Sequence, residues 1–194
     1  MYRRAGAQKV GVKAMQETLV LGGGCFWCTE AVFERVRGVL EVRSGYANGH
    51  VTTAPSYEQV CTGTTGCVEA VRLLWDPVEI GARDVLEIFF ATHDPTQLNR
   101  QGNDVGTQYR SGVYYSDPAH GELARAMVRE LDASGHYGTP IVTEVLPLTR
   151  FWPAEDYHGT YFRNHPHQGY CTYVIQPKVH KFRQAFARHL KEGA

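Results

Sequence analysis

The sequence predicts an α+β two-layer sandwich with a mixed or antiparallel sheet and helices, on a ferredoxin-like core. Strand-like and helix-like stretches are interspersed along the chain, and the strand–helix–strand alternation is broken by strand pairs, which disfavours a doubly wound parallel sheet. Size agrees: 194 residues, 43% hydrophobic and 21% charged, are enough for one real core. No repeat, low-complexity linker or domain boundary interrupts the chain. Residues 16–194 therefore read as a single domain behind a loosely ordered lead-in over residues 1–15.

Glu17–Leu21 reads as a short buried strand ended by three glycines. Cys25–Arg37 reads as a helix, with Val32, Phe33 and Val36 inward, Glu30, Glu34, Arg35 and Arg37 outward, and Gly38 as its C-terminal cap. Leu40 and Val42 alternate with Glu41 and Arg43 as a half-buried strand. Residues 44–66 read as a long loop, and loops of that length are often functional. Val68–Asp76 returns to strand. Val85–Ala91 is an apolar helix with Asp84 as N-cap, followed by a second polar loop over residues 92–106. Gln108–Tyr115 is a strand, and Asp117-Pro118 starts a helix with Pro in its first position. Ile141–Leu146 is a strand, Ala154–Asn164 is helical, and Val179–Leu190 is a terminal amphipathic helix.

Lys+Arg and Asp+Glu both number 20, and no basic stripe stands out, which argues against nucleic-acid binding. No apolar run approaches the roughly 20 residues that span a bilayer. The N-terminus is basic but lacks an apolar core, so it does not read as a secretory signal. The five cysteines, Cys25, Cys28, Cys61, Cys67 and Cys171, are odd in number, which disfavours a disulfide framework. A reducing, cytoplasmic location follows as the expectation. No cofactor is called for.

The sharpest local feature is Leu21-Gly22-Gly23-Gly24-Cys25-Phe26-Trp27-Cys28-Thr29-Glu30. Glycines leave a strand and allow a sharp turn with close backbone approach. A cysteine in the first turn of the following helix meets unpaired amides and the positive end of the dipole, so its pKa is expected to fall. Cys28 lies three residues on, near the same helix face, within reach of a disulfide after modest adjustment. Other readings exist. The pair could be two thiols packed at a buried helix start, or a thioredoxin-like couple, although the surrounding elements and the chain length do not suit that small fold. It could also be half of a zinc site, but such a site needs about four ligands and the Cys61/Cys67 spacing is loose. No metal site is assigned.

Gly24-Cys25-Phe26-Trp27 resembles the signature of the peptide-methionine (S)-S-oxide reductase family, the A-type methionine sulfoxide reductases. Three further segments match that family in order: Tyr57–Gly66 (YEQVCTGTTG), Gln101–Ser111 (QGNDVGTQYRS) and Ala154–His158 (AEDYH). The resemblance runs from about residue 17 to about residue 185. It implies a two-layer α+β sandwich, an enzyme that reduces the S epimer of methionine sulfoxide, free or in oxidised proteins, and thioredoxin as the reductant.

The resemblance makes Cys25 the nucleophile that becomes a sulfenic acid and Glu69 the acid. Glu69 shares a strand face with Val71, Leu73 and Trp75, which should raise its pKa; taken alone it could also be a strand-end residue reaching solvent. Tyr57 and Tyr109 match tyrosines that hydrogen-bond the sulfoxide oxygen, though packing is the commoner role of tyrosine. Asp104 matches a residue that organises the site, and Gly102-Asn103-Asp104 also suits a turn. Phe26 and Trp27 are expected to form an apolar pocket for the substrate methyl. Cys28 and Cys171 are rival resolving thiols. Cys28 is favoured as the first because it needs no closure of a long loop. Cys67 stands where the family commonly has histidine, on the face of Glu69, and Cys61 is expected to be a buried structural thiol.

Overall fold

The computed structural model describes residues 15–193. The lead-in expected over residues 1–15 lies outside them, apart from Met15. The sheet has six strands: β1 (Glu17–Gly23), β2 (Val39–Ala47), β3 (Val68–Trp75), β6 (Ser111–Tyr115), β7 (Glu144–Pro147) and β8 (Phe151–Pro153). Their order is β7-β6-β1-β3-β2-β8. All neighbours pair antiparallel except β6 and β7, which run parallel. A separate hairpin is formed by β4 (Arg100–Gln101) and β5 (Asp104–Val105). The helices are α1 (Phe26–Phe33), α2 (Tyr57–Cys61), α3 (Ala82–Thr92), α4 (Pro118–Ser134), α5 (Tyr161–Asn164) and α6 (Gln176–Ala185). The mixed sheet with interspersed helices agrees with the expected class.

Strand β3 shows how the pattern becomes a core. Glu69, Val71, Leu73 and Trp75 share one face, as period two requires, and all are buried. The main core on that face holds Leu19, Leu21, Phe33, Val71, Leu73 and Trp75 with Val85, Phe89 and Phe90 of α3. Each such fully buried side chain is worth roughly 1.5–3 kcal/mol. A smaller cluster of Val20, Ala47, Val68, Ala70 and Tyr114 lies on the opposite face, against Leu148 and Phe151.

Helix α4 begins and ends as its sequence says. Asp117 accepts from the Ala119 amide at 2.8 Å, and Gly135 closes the other end at φ +66°. Elsewhere the structure corrects the reading. Helix α1 stops at Phe33, and Gly38 lies beyond it, in the turn into β2. Glu30, expected outward, is 3% exposed because α1 is enclosed by the sheet on one side and α3, α5 and α6 on the others. Leu40 is 54% exposed, since a bulge between Val39 and Glu41 shifts the register and turns it out.

Gly81, not Asp84, is the N-cap of α3; Asp84 sits in the first turn, where its charge suits the dipole. The long loop over residues 44–66 is shortened from both sides. Strand β2 continues to Ala47, and Ser56 with Gln59 forms a capping box that starts α2. The loop over residues 92–106 contains the β4–β5 hairpin. Strand β6 begins only at Ser111, because Thr107–Tyr109 is a 3-10 turn. Strand β7 likewise starts at Glu144. The helix expected over Ala154–Asn164 is split into a 3-10 turn, Asp156–His158, and α5, joined through Thr160 at φ +51°. The last helix starts earlier, at Gln176, and ends at Ala185.

Candidate active site

Cys25 is the N-cap of α1 rather than part of its first turn, and its carbonyl accepts from the Cys28 amide at 3.1 Å. Gly24 before it has φ +89°, and a Cβ there would lie 2.5 Å from Cβ of Gln101, so only glycine fits. Gln101 is itself locked: its Oε1 accepts from the Asp94 amide at 3.1 Å and its Nε2 donates to the Asp94 carbonyl at 3.0 Å. It pairs across the hairpin with Asp104. The glycine turn that delivers Cys25 thus also seats the hairpin that carries Asp104.

Glu69 is 1% exposed. Its Oε2 accepts from the Phe26 amide at 3.3 Å, and its Oε1 is buried without a partner among the described residues. Burial pushes its carboxyl up to about 8; the charges of Asp104 and Cys28 add to this, and only the Phe26 amide opposes it. Glu69 therefore holds a proton at neutral pH. Tyr57 and Tyr109 are raised beyond their ordinary range by burial first and by Glu69 next, so both stay hydroxyl donors.

A cavity of about 190 Å³ is lined by Cys25, Phe26, Trp27, Tyr57, Glu69, Asp104, Tyr109 and Tyr170. The structure thus gathers seven of the nine expected site residues into one space. The other two, Cys28 and Cys171, are buried behind it, packed with Cys25, Ala31, Ile175 and Val179. Cys171 lies in a single π-helical turn, Cys171–Ile175, directly ahead of α6. It therefore sits beside the Cys25–Cys28 pair already, and the loop-closure argument against it loses its force.

The expected fall in the Cys25 pKa does not occur. Burial raises it well above its ordinary range, and Cys28 and Glu69 add to the rise. The helix start does not offset this burial: as N-cap, Cys25 makes no side-chain bond to the helix amides, and the first amide, Phe26 N–H, is given to Glu69 instead. Cys28 is lowered to about 7, chiefly by a hydrogen bond from the Cys25 thiol. Of the two coupled thiols, Cys28 is therefore the one that ionises more readily and Cys25 the one that holds its proton longer. Cys61 also departs from expectation and is exposed. Cys67 is buried, and its thiol donates to the Asn48 carbonyl at 3.3 Å.

Three residues at the site escaped the sequence reading. Tyr170 donates to Asp104 Oδ2 at 2.6 Å and lies 3.9 Å from Cys28 Sγ. It could have been suspected from its place beside Cys171. His158 accepts from Trp27 Nε1 at 3.2 Å. Glu155 accepts from the Tyr57 amide at 2.9 Å and from the Tyr46 hydroxyl at 2.7 Å. Both belong to the Ala154–His158 segment, which was legible as a motif but not as a role. Among the described residues no cluster of His, Cys, Asp and Glu could hold a metal, and no helix is long and apolar enough to cross a membrane.

The sequence matches the family described as Peptide methionine sulfoxide reductase over residues 17–190. The protein named Peptide methionine sulfoxide reductase MsrA from Ralstonia nicotianae is 56% identical over 179 residues, covering 90% of this chain and 93% of its own. The protein of the same name from Deinococcus radiodurans is 49% identical, covering 98% of this chain and 92% of its own. The crystal structure of reduced Mxr1 from Saccharomyces cerevisiae superposes with a TM-score of 0.75 at 32% identity, covering 82% of this chain and 91% of that one. A family match over nearly the whole described chain, with relatives about half identical along its length, means that this chain belongs to the peptide methionine sulfoxide reductase family.

Proposed function

We propose that the protein reduces methionine sulfoxide, free and in oxidised proteins, and that it takes the S epimer. One observation carries the reading. A buried, protonated carboxyl with an unpartnered oxygen shares a small aromatic-walled cavity with a cysteine and two tyrosine hydroxyls. A sulfoxide sulfur becomes electrophilic only when its oxygen is protonated or strongly hydrogen-bonded. Glu69, Tyr57 and Tyr109 are the donors available to that oxygen, and Phe26 and Trp27 are the apolar walls for the S-methyl group.

Passing the shared proton from Cys25 to Cys28 turns Cys25 into the thiolate. Its sulfur attacks the substrate sulfur as Glu69 protonates the oxygen. The oxygen ends on Cys25 as a sulfenic acid, methionine leaves, and the substrate gains two electrons. Cys28 then condenses with the sulfenic acid, releasing water and leaving a Cys25–Cys28 disulfide, which Cys171, packed in the same buried cluster, takes over by exchange. A thioredoxin dithiol reopens the disulfide and is itself oxidised; Mxr1 is also solved in complex with Trx2. Asp104 organises this machinery through Tyr170.

Residues 16–194 are read as one catalytic domain, because the site draws on residues from Cys25 to Cys171. The core is read as ferredoxin-like within a two-layer sandwich, supported by the succession β1-α1-β2-β3-α3-β6 and the order β6-β1-β3-β2. A reducing cytoplasm suits a chain whose turnover needs its clustered thiols reduced. A zinc module or a general disulfide oxidoreductase gives the protonated Glu69 no task. The test is an assay with separated S and R sulfoxides and dithiothreitol. Reduction of S alone is expected; activity only on R, or on neither, overturns the reading.

A further inference from the structure

We propose that the turn carrying Glu155 and His158 is the positioning device of the substrate pocket: His158 fixes the Trp27 indole, and Glu155 fixes Tyr57. The inference rests on the sulfoxide reading of that pocket. Trp27, a wall of the cavity, is only half-buried, so packing alone does not hold it. One face of its indole stacks on Tyr161, with centroids 3.7 Å apart and the planes within 7°. Stacking leaves a ring free to slide in its own plane. The bond from Nε1 to His158 Nδ1 at 3.2 Å removes that freedom.

The bond also dictates the state of the histidine. An indole N–H only donates, so Nδ1 of His158 must be the lone-pair nitrogen and the ring proton must sit on Nε2. Nε2 is buried, has no hydrogen-bond partner among the described residues, and lies 3.8 Å from Glu155 Oε2. The imidazole is 1% exposed and packed among Phe26, Tyr57 and Tyr157, with centroids at 5.0, 4.7 and 4.1 Å. It cannot turn without disturbing two walls of the cavity.

Glu155 completes the device. Its Oε1 accepts from the amide of Tyr57, the first residue of α2, and its Oε2 accepts from the Tyr46 hydroxyl of β2. The carboxylate thereby ties the start of α2 to the sheet and sets where the Tyr57 hydroxyl can point. Two polar side chains three residues apart, at the N-cap and the last residue of one 3-10 turn, so register the methyl-binding wall and an oxygen-binding donor against each other. This gives the Ala154–His158 segment a physical role that neither residue has through contact with substrate.

The test compares His158→Phe with His158→Asn, whose amide oxygen takes the place of Nδ1. In steady-state reduction of the S sulfoxide with dithiothreitol, His158→Phe should raise KM about tenfold, since a donor is left unpaired, with kcat changed less than about twofold. His158→Asn should recover most of that loss. In a Trp27→Phe background, which lacks the indole N–H, His158→Phe should raise KM no further. The Trp27 indole N–H resonance, assigned by its loss in Trp27→Phe, should move and exchange faster with solvent in His158→Phe and be largely kept in His158→Asn. An unmoved indole resonance in an active His158→Phe protein, or an Asn variant as impaired as Phe, would overturn the proposal. Wild-type protein inactive on every sulfoxide would instead overturn the functional reading.

Discussion

The start of α1 divides the site into two regions built in different ways. On the acid side, Glu69 stands on β3, a central strand paired with β2 along its length, Glu69 opposite Tyr46, and with β1 over Val71–Trp75. Tyr57 is tied down by Glu155, and the hairpin carrying Asp104 is locked through Gln101. On the thiol side, Cys28 and Cys171 sit on helical pieces, and Cys171 lies in a π-helical turn, a wider winding that often marks functional sites. In the proposed mechanism the acid must meet one substrate atom in one place, and a sheet holds it there. The thiols must change partners with every turnover, and helical turns yield more readily than a paired central strand.

The largest effect should come from breaking the thiol side. Cys28→Ser is expected to abolish steady-state turnover with thioredoxin while still yielding about one methionine per protein in a single-turnover measurement. Cys171→Ser should keep the first disulfide and slow only later transfer. If Cys28→Ser recycles unimpaired and Cys171→Ser does not, the first resolving role belongs to Cys171.

Breaking the acid side should cut activity but strengthen the fold. Unfolded, Glu69 ionises from its ordinary 4.5; folded, it keeps its proton up to about 8. Between those values folding must take up a proton, so Glu69 costs stability that grows as pH rises, to about 3 kcal/mol at pH 7, and nothing below about pH 4. Glu69→Gln should therefore be more stable than the parent at pH 7 by up to that amount, with the difference closing in acid. Its kcat/KM should fall about 10²–10³-fold. In the parent, activity should decline as pH rises through 8 and Glu69 gives up its proton. Equal denaturation midpoints at pH 7 would show that Glu69 is ionised there.

Much of this was legible in the sequence, for specific reasons. Asp117-Pro118 marked the start of α4, and period two placed Glu69 on the face of Val71, Leu73 and Trp75. Six of the seven pocket residues were named because ordered motifs carried them; Glu69, outside those motifs, was named from its strand face and the resemblance. What the sequence hid depended on contacts between distant segments. The inward turn of Glu30 follows from helices on several sides of α1, and the exposure of Leu40 from one bulge. The raised Cys25 pKa was invisible because it comes first from burial by distant segments, which helix position alone does not show. His158 and Tyr170 found their partners across 131 and 66 residues of chain, beyond any local pattern.

The smallest effect is expected where the two regions touch. The Tyr170 hydroxyl donates to Asp104 on the acid side and approaches Cys28 on the thiol side, while its ring meets Trp27 edge-on at 6.0 Å. Tyr170→Phe keeps the ring and the cavity wall but removes both polar links. The hydroxyl lowers the pKa of Cys28, after the larger effects of Cys25 and Lys178, when its one proton turns from Asp104 to the thiolate, so the Cys28 value should move upward from about 7. Fewer thiol pairs are then ionised at neutral pH, and kcat/KM should drop about three- to tenfold for a single lost hydrogen bond to a charged group. Ultraviolet titration of the thiolate reads the shift directly, and steady-state kinetics read the rate. A lower rate with an unmoved thiolate titration would place Tyr170 on the acid side alone, acting through Asp104, and the two regions would then be joined only by the Cys25–Cys28 pair.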